Sequence, residues 1–195
     1  MMKLKVAIIL QICVVTVFAG SENEWNCTTT SNTGNFTKSN DCTIKGDNHI
    51  EVSGTLEING IRADMENLIT ITAANKHRHF YLNNANATLI LRYLKLVGGD
   101  VSSSSWPSNN GGSIHIYENG GELNLYSSIV FNNKAGDGGG IYAQGASSSN
   151  RNAIMNIYNS IIHNNVAMYG GAGIHIVRAG ATIYNTCLLY TSPSP

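Results

Sequence analysis

The sequence is poor in charge and in proline. Charged side chains make up 12% of the 195 residues, and three prolines occur; the charged share is about half that of an average soluble domain. Twelve basic residues balance twelve acidic ones, so a basic surface for nucleic acid is not expected. Beyond the first twenty residues no apolar run is long enough to cross a membrane. We therefore predict no nucleic-acid partner and no transmembrane segment in the mature chain.

Small and polar residues take the place of the missing charge. The chain has 25 Asn, 20 Gly, 18 Ser and 14 Thr, beside a hydrophobic share of 43%. That apolar content is too high for a disordered chain. Asn and Gly at this density are typical of a fold with many tight turns.

The N-terminus has the pattern of a secretory signal peptide. Lys3 and Lys5 precede the apolar run 6–18, and the small residues Ala19, Gly20 and Ser21 follow. We predict cleavage after Ala19 or Ser21, with 1–19 as the signal peptide; an uncleaved signal anchor is the alternative. Without Lys3 and Lys5, ten basic residues face twelve acidic ones, a net charge of −2. The mature protein is predicted to be secreted or held at the cell surface.

The cysteines and the glycosylation sequons fit export. Cys27 and Cys42 enclose fourteen residues and are predicted to form a disulfide in an N-terminal lead-in or cap over 20–42; two free thiols are the alternative. Cys187 is either a buried small hydrophobic residue or the partner of a cysteine outside this chain. The sequons make Asn26, Asn35 and Asn86 glycosylation candidates.

An internal repeat covers most of the remaining chain. Glycine-rich entries lead into short strands at Ile114, Ile141 and Ile174, and a second unit follows each at Leu125, Ile157 and Ile183. Apolar residues alternate in Leu123/Leu125, Ile114/Ile116 and Ile129/Phe131, the period of strands. Repeats of this length built from short strands indicate a solenoid.

We predict an all-β fold, a right-handed parallel β-helix of about six turns of chain, or rungs, over 43–187. Inward Ile, Leu, Val and Ala would stack from rung to rung, and 188–195 is interpreted as a non-native-looking tail on a C-terminally truncated helix. An antiparallel sandwich is the competing architecture. In the helix, Asn132, Asn133, Asn164 and Asn165 occupy equivalent turns and would form an asparagine ladder; ordinary turn residues are the alternative.

The Gly-Gly-x-Ile entries and Phe131-Asn132-Asn133-Lys134-Ala135 resemble the polymorphic outer-membrane protein repeats. Those proteins are right-handed β-helices, and the wider group includes the pectin-lyase-like proteins. The resemblance spans about 68–187. It implies surface exposure and adhesion or carbohydrate contact.

Catalytic residues are not evident. The repeat region holds Asp100, Glu118, Glu122 and Asp137, none adjacent in sequence to another, whereas lyases need a calcium-binding Asp cluster with an Arg base and hydrolases need paired carboxylates. Asp100 and Asp137 adjoin glycine-rich turns, where a carboxylate can cap the backbone. We predict no catalytic residues, no metal and no cofactor.

Two outward rows are candidate ligand faces. One contains Tyr126, Tyr158 and Tyr184, and the other His115, Tyr142 and His175. Either row could bind an extended polysaccharide, but the first could equally stabilise the sheet and the second could be a solvated face. The prediction is an interaction module, adhesin-like or glycan-contacting, whose partner is an extracellular polysaccharide or a surface protein. The alternative is a polysaccharide lyase or glycoside hydrolase whose catalytic rungs lie outside this chain.

Overall fold

The computed structural model describes residues 23–30, 32–46, 48–62, 64–105, 107–146 and 153–189. The predicted signal peptide and residues 190–195 lie outside this part. The described residues form strands, turns and loops, and none of them is helical. No apolar helix long enough to cross a bilayer was found among them.

The strands lie in three main parallel sheets and one short pair. Sheet 1 consists of β1 (Gly34–Lys38), β4 (Thr55–Gly60), β7 (Thr88–Arg92), β10 (Gly121–Tyr126), β14 (Ala153–Tyr158) and β18 (Gly180–Tyr184). Sheet 2 consists of β2 (Cys42–Thr43), β5 (Ile69–Thr72), β8 (Leu94–Val97), β11 (Ile129–Phe131), β15 (Ile161–His163) and β19 (Cys187–Leu189). Sheet 3 consists of β3 (Ile50–Val52), β6 (Phe80–Leu82), β9 (Ile114–Ile116), β13 (Ile141–Gln144) and β17 (Ile174–Val177), and β12 (Lys134–Asp137) pairs with β16 (Val166–Gly170).

Apart from β12 and β16, successive strands of the chain enter sheets 1, 2 and 3 in turn, and every pairing is parallel. Each strand therefore bonds to the equivalent strand of the next repeat. This order is consistent with a parallel β-helix or solenoid, and it is incompatible with the antiparallel sandwich.

The register follows the repeat read from the sequence. Ile114, Ile141 and Ile174 are aligned across sheet 3, despite their unequal spacing in the chain. In sheet 1 the buried Leu123 lies between Leu89 and Met155. Strand β11 has the phase opposite to the one expected: the middle residue Val130 is buried, whereas its two neighbours are partly exposed.

Residues with a left-handed backbone turn the chain from one sheet to the next. Tyr93, Ser127, Asn159 and Asn185, each directly after a strand of sheet 1, have φ values of 55°, 44°, 49° and 46°. Asn132 and Asn164 occupy the corner after sheet 2 with φ values of 55° and 53°. Asn tolerates this conformation better than most residues, which explains its abundance at the corners.

The glycine-rich entries are needed because the backbones of neighbouring repeats come very close together. A Cβ added to Gly112 would lie 2.2 Å from the carbonyl oxygen of Gly139, and one added to Gly139 would lie 2.4 Å from that of Val166. No side chain fits at either place.

The two predicted boundaries of the sheet region differ from the observed ones. Sheet 1 begins at Gly34, inside the predicted lead-in, because β1 pairs with β4 over five residues. At the other end, Leu188 and Leu189 pair with β15 although they were assigned to the tail. The lead-in also contributes to the core: its Trp25 and Cys27 are buried there, and Cys27 is bonded to Cys42, with Cα atoms 6.5 Å apart.

Candidate functional site

The tyrosine row on sheet 1 stacks on itself. The rings of Tyr126 and Tyr158 are 5.3 Å apart and nearly parallel, with 9° between their planes. The guanidinium of Arg92 lies 4.2 Å from the other face of Tyr126. Tyr184 pairs with Tyr158 in register and is 67% exposed. Because neighbouring rungs cover the faces of Tyr126, little flat surface is left for a sugar ring there; the stack contributes to stability.

The buried asparagines form a ladder. Asn133 donates from its backbone N and from Nδ2 to Oδ1 of Asn165, at 3.0 Å in each case. Asn165 Nδ2 donates to the carbonyl of Val130, and Asn133 Oδ1 accepts from the backbone N of Gly99. Asn132 and Asn164 do not belong to the ladder. They are exposed corner residues, so for these two the alternative of ordinary turn residues applies. The ladder therefore holds rungs together and is not a binding surface.

A second ladder, of buried serines, was not predicted from the sequence. Ser128 and Ser160 follow the corners of sheet 1 and are buried. Ser160 Oγ accepts from the backbone N of Ser128, and Ser128 Oγ accepts from that of Leu94. A hydroxyl residue recurs at this place in successive units, and Thr186 continues the series by accepting from the backbone N of Ser160. This recurrence was the signal from which the ladder could have been predicted.

The carboxylates of the repeat region serve local roles. Asp100 Oδ1 accepts hydrogen bonds from the backbone N and the hydroxyl of Ser102, which caps a turn. Asp137 Oδ1 lies 3.2 Å from His175 Nδ1. Glu122 accepts a hydrogen bond from Asn124. Among the described residues no three His, Cys, Asp or Glu side chains are grouped as a metal site would need.

The exposed positions include the three sequon asparagines and Cys187. Asn26, Asn35 and Asn86 are all exposed, and Asn35 donates a hydrogen bond to Glu57. Cys187 is exposed as well, so its interpretation as a buried small hydrophobic residue is wrong. It lies in the strand next to Ile161, at an outward position of sheet 2.

The histidine–tyrosine row on sheet 3 is not an open face. His115, Tyr142 and His175 are aligned as expected, with rings packed edge to face at 5.0 and 5.4 Å. However, His115 is 2% exposed and Tyr142 is 6% exposed, which contradicts the predicted solvated surface. The reason is the loop between β8 and β9, whose Asn109 and Asn110 are themselves buried; this loop lies over the row.

The same loop closes one side of a cavity of about 290 Å³. Sheet 3 and its flanks contribute His49, Arg78, Tyr81, His115 and Tyr117, and the loop contributes Pro107 and Ser108. The Tyr81 ring is 5.3 Å from both His49 and His115, and the Tyr117 ring is 5.5 Å from His115. Four rings thus form a continuous aromatic wall.

Arg78 is the charged group of this cavity. It is 4% exposed; it donates from Nη1 to the carbonyl of Asn110 at 2.7 Å and from Nη2 to the carbonyl of Ser108. Nη1 also bonds to Nδ1 of His115, and the guanidinium lies 5.5 Å from the centre of the Tyr81 ring. Burial lowers the pKa of Arg78 to about 10, so the side chain is still a cation at neutral pH.

The histidines beside Arg78 are neutral. Burial lowers the pKa of His49 to about 4, with further contributions from the charges of Arg78 and His77. Burial, Arg78 and His49 together lower the pKa of His115 well below its ordinary value. The cavity therefore combines one cation with neutral rings.

The repeat pattern predicted His115 but not its neighbours in the cavity. Tyr81 pairs with His115 in register, so aligning Phe80-Tyr81-Leu82 with Ile114-His115-Ile116 would have added it to the row. Arg78 lies just before this strand and gave no such signal. Comparison of the chain with protein-family models, curated proteins and solved structures found no match.

Proposed function

We propose that the chain is a secreted or cell-surface right-handed parallel β-helix of about six rungs that acts as an interaction module for a glycan. The six strands in each of sheets 1 and 2, and the regular alternation of sheets along the chain, support the helix. The disulfide between Cys27 and Cys42 supports an extracellular location.

The aromatic wall of the cavity carries the functional part of the proposal. Tyr81, Tyr117, His49 and His115 supply apolar ring surface and polar edges within one concave site. A sugar ring also combines apolar C–H faces with polar hydroxyls, and aromatic residues offer large contact area with a polar handle. Tyr117 is partly exposed, so its ring is accessible to a ligand.

Binding of oligosaccharides tests this function. We expect the protein to bind at least one of cellohexaose, chitohexaose and unsulfated chondroitin hexasaccharide in isothermal titration calorimetry. Tyr117→Ala should weaken that binding about tenfold, the effect of losing an aromatic contact of 1–2 kcal/mol.

Tyr184→Ala is the matched control, since Tyr184 is an exposed tyrosine on sheet 1. It should bind as the unchanged protein does, and circular dichroism should show both variants folded. Absence of binding to all three oligosaccharides, or equal weakening by both substitutions, would contradict the proposal.

A further inference from the structure

We infer that Arg78 is the receptor for an oxyanion, a carboxylate or sulfate group, on the ligand that occupies the cavity. The inference rests on the proposed function, because the anion would be part of the proposed glycan. The observation behind it is that the positive charge of Arg78 has no counterion among the described residues of the cavity.

The partners of Arg78 are all neutral. They are two backbone carbonyls of the covering loop and the Nδ1 atom of His115. None of the ion pairs among the described residues includes Arg78. A buried guanidinium without a carboxylate is costly, and a bound anion would supply the missing countercharge.

The carboxylates that act on the neighbouring Tyr81 do not serve this purpose. Glu51 pairs with Tyr81 in register, and Glu118 directly follows Tyr117. Both are close enough to help raise the pKa of Tyr81, after the larger effect of its burial. Neither forms an ion pair with Arg78, so the cation is left for another partner.

Two buried N–H groups in this cluster have no acceptor. Arg78 Nε is buried without a hydrogen-bond partner, and so is Nε2 of His115. Since Arg78 donates to Nδ1 of His115, that neutral imidazole must carry its proton on Nε2. Both residues line the same cavity, and oxyanions are the acceptors that form the strongest hydrogen bonds with such donors.

A purely structural role for Arg78 explains only part of this arrangement. Its Nη atoms hold the carbonyls of Ser108 and Asn110, which anchors the loop over sheet 3. That role needs neither an unpartnered Nε nor an unpartnered imidazole N–H, and it leaves the positive charge without a counterion.

The direct test follows the Nε–H resonance of Arg78 in protein labelled with 15N-arginine, assigned through contacts to the Tyr81 ring. Sodium acetate and sodium sulfate are titrated separately against sodium chloride at constant ionic strength. We expect a saturable shift of the Arg78 signal with acetate, with sulfate or with both, and the tighter of the two identifies the preferred group. Arg92, a partly exposed arginine paired with Glu57, is the internal control and should not respond. The unchanged protein is the species titrated, so the test does not depend on a variant that folds.

The absence of a saturable shift with both salts, or an equal shift at Arg92, would overturn the inference. A second comparison uses unsulfated chondroitin hexasaccharide and its carboxyl-reduced form. The acidic form should bind about tenfold more tightly, as expected for one charge-assisted hydrogen bond. Equal affinity would refute the anion site and leave glycan binding intact. An anion response at Arg78 without oligosaccharide binding would instead refute the proposed function alone.

Discussion

Substitution of Asn165 by alanine tests whether the buried amide ladder holds adjacent rungs together. Asn165 is 1% exposed. Its Oδ1 accepts from the backbone N and from Nδ2 of Asn133, and its Nδ2 donates to the carbonyl of Val130. Alanine would remove all three hydrogen bonds, because its methyl group neither donates nor accepts.

The expected cost follows from the groups left behind. The backbone N–H of Asn133 loses the acceptor that it has in this structure, whereas its Nδ2 keeps the carbonyls of Leu96 and Phe131. An unsatisfied buried polar group costs about 1–3 kcal/mol. With the Val130 carbonyl also affected, we expect Asn165→Ala to lower the free energy of unfolding by about 3 kcal/mol.

The neighbouring asparagine provides the control. Asn164 is exposed and has φ of 53°, a conformation that glycine adopts without strain, so Asn164→Gly should change stability by about 0.5 kcal/mol or less. Urea denaturation followed by circular dichroism measures both variants. A loss below about 1 kcal/mol for Asn165→Ala, or equal losses for the two variants, would refute the idea that the ladder joins the rungs.

Two further predictions concern the core and the cap. Burial lowers the pKa of His79 to about 4 against 6.5 for the free side chain, although hydrogen bonds to the carbonyls of Ile71 and Val97 oppose the shift; the unfolded chain therefore gains a proton first as pH falls. The contribution of neutral His79 to stability is complete above pH 6.5 and should be lost progressively towards pH 4. The loss should be about 2 kcal/mol between about pH 7.5 and about pH 5. Urea denaturation at the two pH values should show a smaller pH dependence for His79→Gln, and an unchanged pH dependence would contradict the prediction. Replacing Cys27 and Cys42 together by alanine should lower the free energy of unfolding by about 3 kcal/mol. Cys187→Ala is the control and should have little effect, because Cys187 is exposed and free. Similar urea midpoints for the two variants would show that the disulfide does not stabilise the cap.

The repeat made much of the fold predictable, because parallel pairing of equivalent units places like residues side by side. The alignment of Ile114, Ile141 and Ile174 could be read without a structure, since each follows the same glycine-rich entry. Strand phase could be read only where apolar and polar residues alternate. In Ile129-Val130-Phe131 all three residues are apolar, so the pattern cannot say which one faces the core; the structure buries Val130.

Asparagine pairs posed a similar ambiguity at the corners. Asn132 and Asn133 are chemically identical and adjacent, yet the first adopts a left-handed backbone and is exposed while the second is buried and bonded to the next rung. The sequence could locate the corner but could not predict which asparagine turns the chain and which one is buried. The left-handed residue must come first, because it turns the chain so that the following side chain points inward.

The candidate binding site lies where the repeat is interrupted, and for this reason it could not be predicted from the sequence. Periodic positions are constrained by their neighbours above and below, so they are used for stacking, as Tyr126 and Tyr158 show. The loop between β8 and β9 escapes this constraint, and it brings the carbonyls of Ser108 and Asn110 onto Arg78, thirty and thirty-two residues earlier in the chain. No local pattern encodes such a contact. In a fold of near-identical rungs a distinct cavity needs a departure from the repeat, and this loop supplies one over the histidine–tyrosine row of sheet 3.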